Sequence, residues 1–585
     1  MTLFVASWGA DGAARARALD ALRGYVGSFA SSAGNEVRQT EWTGPAHVAW
    51  LSGAGPVTGE RHAEDRVTLV DGVAIHGSGS AVVTAEDLAS RPFGTVTADA
   101  DLDGQFAILD AAADRLEIAT DLLGLYTVHW CRTPDGWFLS NRVEPLARIA
   151  GARGFDQVAA SAFVSVGWVT GERTLLENIN TVPGGAHWVW RPGAAPAFDR
   201  PRDPWRVVGM PRRPIDYPAL RDALIARCAA VGHWAGSVES GLTSGLDSRL
   251  LFMLLRAADV KTVYITGGHP TAPDVIVSQQ IAETYGVDRR HIKPFAEDAV
   301  RAGWFDFARQ LVSQNDGMVS LWQNIDLMRP PVAAPVSLWG VGGNIARSLY
   351  GTPRDLATRW AAPKQWRDIV EGHGDGQNLL TPGALRSARG EVDSFIATAG
   401  AEGIARHVIP DAFNTLELIG RWAAPNKRKI YPTPVFAPLS TQVWLRAAFS
   451  LAPVQRFSEP LHYNLFRLLA PGEDIANHPA GKWRSQIPYF NLLFGQARQR
   501  TIQNAGRDPL GIRYRIIELL REEMAARCLD RGSSPLWQVV DRSAFEAAMS
   551  GDDPVDVERR GVQARTLLAI MTLFEYEAFR EEARA

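Results

Sequence analysis

Cysteine is nearly absent. Cys131, Cys228 and Cys528 are odd in number, far apart in 585 residues and free of any C-x-x-C pairing, which argues against a disulfide framework and against a zinc site. That usage suits a reducing compartment, so a cytoplasmic location is the expectation. Long apolar runs are missing too. No stretch reaches the roughly 18 residues that a membrane span needs, and "MTLFVASWGADG" lacks the basic start and apolar length of a secretory signal. Neither sign of charge is in excess. A formal net charge of −3 offers no basic footprint for nucleic acid and no polybasic patch for an anionic membrane. Internal repeats and low-complexity segments are also lacking. The histidines, His233, His462 and His478 among them, show no ligand spacing and read as structural.

What is present is a chain too long for one ordinary core. Residues 1–195 carry short apolar runs broken by Gly, Asp and Pro, as in "RVTLVDGVAIHG" and "QFAILDAAADRLEIATD". These read as strands and hairpins. Residues 196–217 are rich in proline and arginine and read as a linker. From 218 to 585 the rhythm changes. "YPALRDALIARCAAVGHW" is helical by spacing, "VKTVYITGG" is a strand, "APDVIVSQQIAETYG" a helix, "RRHIKP" a short strand, and "PVSLWGVGGNIARSLYG" strand, glycine turn and helix. Alternation of this kind predicts a parallel sheet with helices on its faces. Beyond about residue 355 the pattern is mostly helical.

One turn in this second part stands out. Residues 237–249, "SVESGLTSGLDSR", place glycines, hydroxyls and an aspartate directly before the apolar helix "LLFMLL". In open α/β sheets ligands bind beyond the carboxyl ends of the strands. A glycine- and hydroxyl-rich turn feeding a helix N-terminus offers N–H groups and a positive dipole end to an anion. Phosphate is the expected guest, and Asp247 would then require a cation such as Mg2+ between itself and the phosphate. A Walker loop is excluded because no lysine is present, and a hydrolase elbow because neither Ser244 nor Ser248 sits in G-x-S-x-G. An ordinary strand-to-helix turn with Ser or Asp as cap remains the rival reading.

"LTSGLDS" resembles the pyrophosphate loop of the ATP-pyrophosphatase superfamily, and within it the chain is similar to the asparagine synthetase family. Further segments follow in family order: "LDGQFAILDAAADRLEIATDLLGLYTVHW", "TLLENINTVPGGAHWVW", "SLWGVGGNIARSLYG" and "HPAGKWRSQIPY". The resemblance implies an α/β chain of two parts. The first, 1–195, would be an N-terminal-nucleophile-type, amidotransferase-like α+β domain. The second, 218–585, would be a parallel-sheet synthetase domain with a helical C-terminal part. Departures matter as much. Threonine stands at position 2 where a working glutaminase has cysteine, and "VDGVAIHG" replaces the glutamine-holding segment, so the first domain is expected to be inactive. Ile345 replaces an acidic residue, and Val341 replaces the residue that handles the acyl acceptor in better-known members.

Members without the cysteine that still form amides include β-lactam synthetases and lasso peptide cyclases. Arg249 directly after Asp247-Ser248, together with the length of the chain, favours similarity to the cyclases. The activity implied is ATP-dependent amide formation through an acyl-adenylate, closing a macrolactam between a peptide's N-terminal amine and an Asp or Glu side chain. A small-molecule amide synthetase, an ammonia-dependent asparagine synthetase and a non-catalytic scaffold remain open. The site implied has Leu242, Thr243, Ser244, Gly245, Leu246, Asp247 and Ser248 cradling pyrophosphate. Tyr264, Ile265, Thr266 and Gly267 would line the adenine pocket, and Gly340, Gly342 and Gly343 would also belong to the nucleotide site. Asp247 and Asn344 would hold Mg2+. Lys482 would neutralise charge at the α-phosphate, Glu417 is a candidate general base, and Arg249 would meet a carboxylate. The partners implied are a precursor peptide, a leader-binding element and a cysteine protease.

Overall fold

In the first part of the chain, strand residues alternate between two destinations. The computed structural model describes residues 3–27, 36–51, 60–92, 94–95, 97–152, 154–293, 296–324, 334–348, 379–423, 433–457, 459–472, 511–550 and 557–582. In the strand Leu3–Trp8, Leu3 and Val5 face a helical core, while Phe4 and Ala6 face a second sheet. Side chains on a strand point alternately to opposite faces, so one apolar run serves two layers. The strand pairs antiparallel with Ala46–Leu51 and Gly136–Ser140 inside a six-stranded sheet. A seven-stranded sheet, centred on Arg66–Ile75 and Asp103–Ala112, packs against it. Trp50, Leu69, Leu109, Ile118 and Trp190 fill the space between the two sheets.

The second part holds a five-stranded, wholly parallel sheet. In space its strands run Arg289–Ile292, Thr262–Gly267, Val238–Gly241, Val336–Leu338, Val435–Phe436. Numbered along the chain this is the order 3-2-1-4-5, the doubly wound arrangement whose direction reverses between strands one and four. The alternation read from the sequence is therefore present. The helices Leu246–Ala257 and Pro273–Tyr285 are the connections. Leu250 to Leu255 are fully or almost fully buried, which is why "LLFMLL" is apolar on every face.

The fifth strand was not legible. Val435–Phe436 is two residues long and flanked by prolines, within a stretch read as helical. The antiparallel part secures its open edge. Tyr126 Oη accepts from Val435 N at 2.7 Å, while Gln105 accepts from Ala437 N at 2.6 Å and donates to its carbonyl at 3.0 Å. Side chains thus satisfy backbone groups that an edge strand would leave open. Gln105 belongs to "LDGQFA", so this segment ties the two sheets together.

The segment 196–217 differs from the linker expected. Ala197–Asp199 adds a strand to the seven-stranded sheet, and Pro204–Val208 is a short helix with Val207 and Val208 buried. Arg202 is the reason. Its buried guanidinium donates to the carbonyls of Thr97, Asp99, Thr120 and Ala186 and so holds the segment down. The longest run without helix or strand in this segment is 209–216. One apolar core is also common to both parts: Leu146, Phe163 and Leu175 pack with Trp304, Leu380, Leu568 and Tyr576. All three cysteines are free and buried. No helix among the described residues is long and apolar enough to cross a membrane.

Candidate functional site

Two glycine-bearing turns leave the carboxyl ends of strands one and four and meet at the switch point. The first is the quoted turn. Leu242 and Leu246 are buried and anchor it. Thr266 Oγ1 donates to the Leu242 carbonyl at 2.6 Å, fixing the turn to the neighbouring strand. Thr243 and Ser248 hydroxyls lie 2.8 Å apart, and Gly245 N donates to Thr243 Oγ1 at 3.0 Å. Ser244 donates its N–H to Asp274 at 2.9 Å and its hydroxyl to the same carboxylate oxygen. The N–H groups of Thr243, Ser244 and Gly245 are therefore spent within the protein. The helix itself begins at Gly245 with no side-chain cap, so its first turn keeps the anion-attracting character of an open N-terminus.

The second turn, Gly340 to Asn344, closes over Asp247. A Cβ on Gly340 would lie 3.1 Å from the Asp247 carbonyl carbon, and one on Gly343 would collide with the Asp247 carboxylate. Glycine at both positions is what allows the approach. Gly342 adopts φ +95°, a conformation costly for other residues, and its carbonyl accepts from Trp444 Nε1 at 3.0 Å. Asn344 Nδ2 donates to Asn414 at 3.4 Å.

Asp247 is the centre of an ionic cluster. Its Oδ1 takes an ion pair from Arg347 and lies 2.8 Å from His462 Nε2. Arg347 also faces Glu459 at 3.6 Å. Burial would raise the Asp247 carboxyl, but Arg347 and His462 outweigh it and hold the group at about 2. Burial lowers the His462 imidazole, whose ring stands edge-on to Trp444 at 5.4 Å. The Asp247 side chain keeps 25% exposure and Arg347 23%, so the cluster opens to solvent on one side.

Several expectations change here. Arg249 is fully buried, its guanidinium 5.9 Å from the centre of the Phe466 ring, and burial lowers it to about 10. It lies beneath the site and cannot reach a substrate carboxylate. Tyr264 and Ile265 are core residues. Tyr264 packs on Phe252 at 5.1 Å, and of the expected adenine wall only Gly267 is exposed. Nor do the residues fit a divalent cation as arranged. Arg347 already neutralises Asp247, Asn344 turns to Asn414, and no group of three His, Cys, Asp or Glu suited to a metal exists among the described residues. Lys482 lies outside the described residues, as does Thr2.

Glu417 lies elsewhere. It sits in a π-helical stretch, Asn414–Trp422, and lines a cavity of about 280 Å³ to which the turn 242–248 contributes nothing. Its Oε2 accepts from Gly171 N at 3.1 Å, and burial raises its carboxyl. A Cβ on Gly420 would stand 3.0 Å from the Leu123 carbonyl oxygen, so glycine lets this helix approach the antiparallel part. Sequence reasoning missed Arg347, Glu459, His462 and Asp274. Arg347 alone had a visible signal, three residues beyond Asn344 in a motif already singled out.

The geometry defines a mixed α/β protein in which antiparallel sheets stand beside a doubly wound parallel sheet with a polar, partly open switch point. Among solved structures, one neighbour is a glutamine phosphoribosylpyrophosphate amidotransferase from B. subtilis, complexed with ADP and GMP. It is 10% identical, with 59% of this chain and 77% of that one covered and a TM-score of 0.23. At that score the likeness carries no weight for fold or function. No protein-family profile matches the chain, and no curated protein does.

Proposed function

We propose that this protein forms amide bonds with ATP as co-substrate, through an acyl-adenylate, and that its substrate is a peptide whose N-terminal amine is joined to an Asp or Glu side chain. The observation that carries the reading is the meeting of the 242–248 and 340–344 turns at the switch point of the parallel sheet. An uncapped helix N-terminus there suits a phosphate. Displacement of Arg347 from Asp247 toward the anion would give the phosphate a guanidinium partner. In this reading Thr243, Ser244 and Ser248 hold the turn's shape, and His462 orients the Asp247 carboxylate. The antiparallel part is an inactive scaffold that secures the edge of the parallel sheet through Gln105 and Tyr126. A precursor peptide, a leader-binding element and a cysteine protease are the partners that belong to this reading, in the cytoplasm.

The second reading is a binding scaffold without catalysis, favoured by the engagement of Asp247 by both Arg347 and His462. Pyrophosphate release from ATP separates the two. A ligase releases pyrophosphate with linear peptides carrying a free amine and an internal Asp or Glu, and makes a product lighter by one water, about 18 Da, by mass spectrometry. No release with any peptide, β-amino acid or aspartate leaves only the scaffold.

A further inference from the structure

Resting on the reading that the 242–248 turn holds a phosphate, we propose that the switch point takes this anion without a divalent cation. Arg347 stands in the place where a metal ion would bridge Asp247 and Glu459.

A carboxylate beside a phosphate needs positive charge between the two, and a divalent cation is the usual source. Here the chain supplies that charge itself. The Arg347 guanidinium pairs with Asp247 Oδ1 through Nη2 and approaches Glu459 through Nε at 3.6 Å, so one cation faces two carboxylates. The carboxylates come from separate elements. Asp247 lies in the first turn of Leu246–Ala257, and Glu459 directly precedes the helix Pro460–Leu469. Arg347 arrives on a third, at the end of the 3-10 turn Gly343–Ala346.

The surroundings of Asp247 favour the same assignment. Mg2+ demands near-octahedral coordination and keeps several of its waters. The protein already crowds the carboxylate. A Cβ on Gly343 would collide with it, and Arg347 and His462 Nε2, the latter at 2.8 Å, share its Oδ1. Glu459 is 1% exposed and the His462 side chain is wholly buried, so neither turns toward solvent to receive an ion. Asn344 gives its side-chain amide to Asn414. Arg347 keeps an open side, and it is the member of the cluster that an incoming anion meets.

This guanidinium also has donors to spare. Nη2 hydrogen-bonds to Asp247, while Nε makes no hydrogen bond. A planar fork suits two phosphate oxygens at once, and the uncapped N-terminus of Leu246–Ala257 attracts the same charge. Positive charge at the switch point thus belongs to the fold and need not arrive with the ligand.

Calorimetry on the full chain tests this, with pyrophosphate as the probe in excess EDTA and in Mg2+. Affinity in EDTA is expected to match that in Mg2+. Arg347→Gln is expected to weaken pyrophosphate binding in EDTA about tenfold or more, the loss of a charge-assisted hydrogen bond. The comparison in the parent needs no variant and stands should Arg347→Gln fail to fold. Mn2+ alone is titrated against the parent and Asp247→Asn, and is expected to show no site that the substitution removes. Pyrophosphate binding only with Mg2+, an Mn2+ site lost in Asp247→Asn, or parent-like binding in EDTA by folded Arg347→Gln overturns the role of Arg347 and leaves the phosphate reading standing. No pyrophosphate binding under either condition overturns both.

Discussion

At the switch point Asp247 meets Arg347 and His462, while at the junction of the two parts Asp316 meets Arg142, 3.9 Å away, beside the Glu144–Arg580 pair at 2.7 Å. Each cluster pairs an aspartate with an arginine, but the carboxyls move in opposite directions. Asp316 is driven up to about 6 because burial exceeds the pull of a distant guanidinium and Glu144 adds a like charge. Asp247 is held at about 2 because Arg347 and His462 touch it. Exposure separates the clusters as well. Arg142, Glu144, Asp316 and Arg580 are 4% or 5% exposed, whereas Asp247 and Arg347 are open by about a quarter. A sealed cluster can only hold elements together. A cluster with one open side can exchange an internal partner for a ligand.

The comparison is broken most forcefully at the sealed cluster. Arg580→Ala leaves Glu144 buried with, among the described residues, only Tyr576 as a side-chain hydrogen-bond partner at 2.8 Å, and is expected to cost about 3–5 kcal/mol of stability by denaturant unfolding. Arg347→Gln, at the open cluster, removes the guanidinium that the proposed function brings to the phosphate, and is expected to lower pyrophosphate release at least about 10²-fold, on the order of 3 kcal/mol of activation energy. Parent-rate release by that variant removes the switch point as the reactive site.

The pH dependence of stability sharpens the contrast. Asp316 has a folded value above its ordinary 3.8, so its protonated form is the one the fold favours. Its contribution is present below about pH 4 and is lost as pH rises through about 6, on the order of 2–3 kcal/mol. Asp247 has the opposite sign: its contribution is present above about pH 4 and is lost as pH falls through about 2. Asp316→Asn is therefore expected to flatten the stability profile between pH 4 and 6 and to leave the limb below pH 4 in place. The smallest effect belongs to Thr2→Ala. It is expected to leave amide formation unchanged, with no glutamate released from glutamine by either form. Glutamate release by the parent alone contradicts an inactive antiparallel part.

Much of the parallel half was legible because local rules govern it. The run 238–292 alternates strand and helix with the glycine turns at the right ends, and each element follows from its own composition. Proline and arginine misled at 196–217, where Arg202 finds four carbonyls that no sequence window contains. The two-residue fifth strand escaped because its stability comes from Gln105 and Tyr126, some 300 residues away along the chain.

The sequence by itself determined the layered α/β plan, the absence of a disulfide framework and the turn that carries Asp247, since periodicity, residue counts and glycine placement are local properties. Only the tertiary structure decided what that aspartate meets. Arg347 and His462 lie 100 and 215 residues from it and reach it because strands one and four are neighbours and the helix Pro460–Leu469 packs on the helices Tyr217–Ala235 and Leu246–Ala257. Whether a charge is sealed or open, and so whether it holds the fold or waits for a ligand, depends on what covers it. Covering is decided by packing among distant segments, which no stretch of sequence encodes alone.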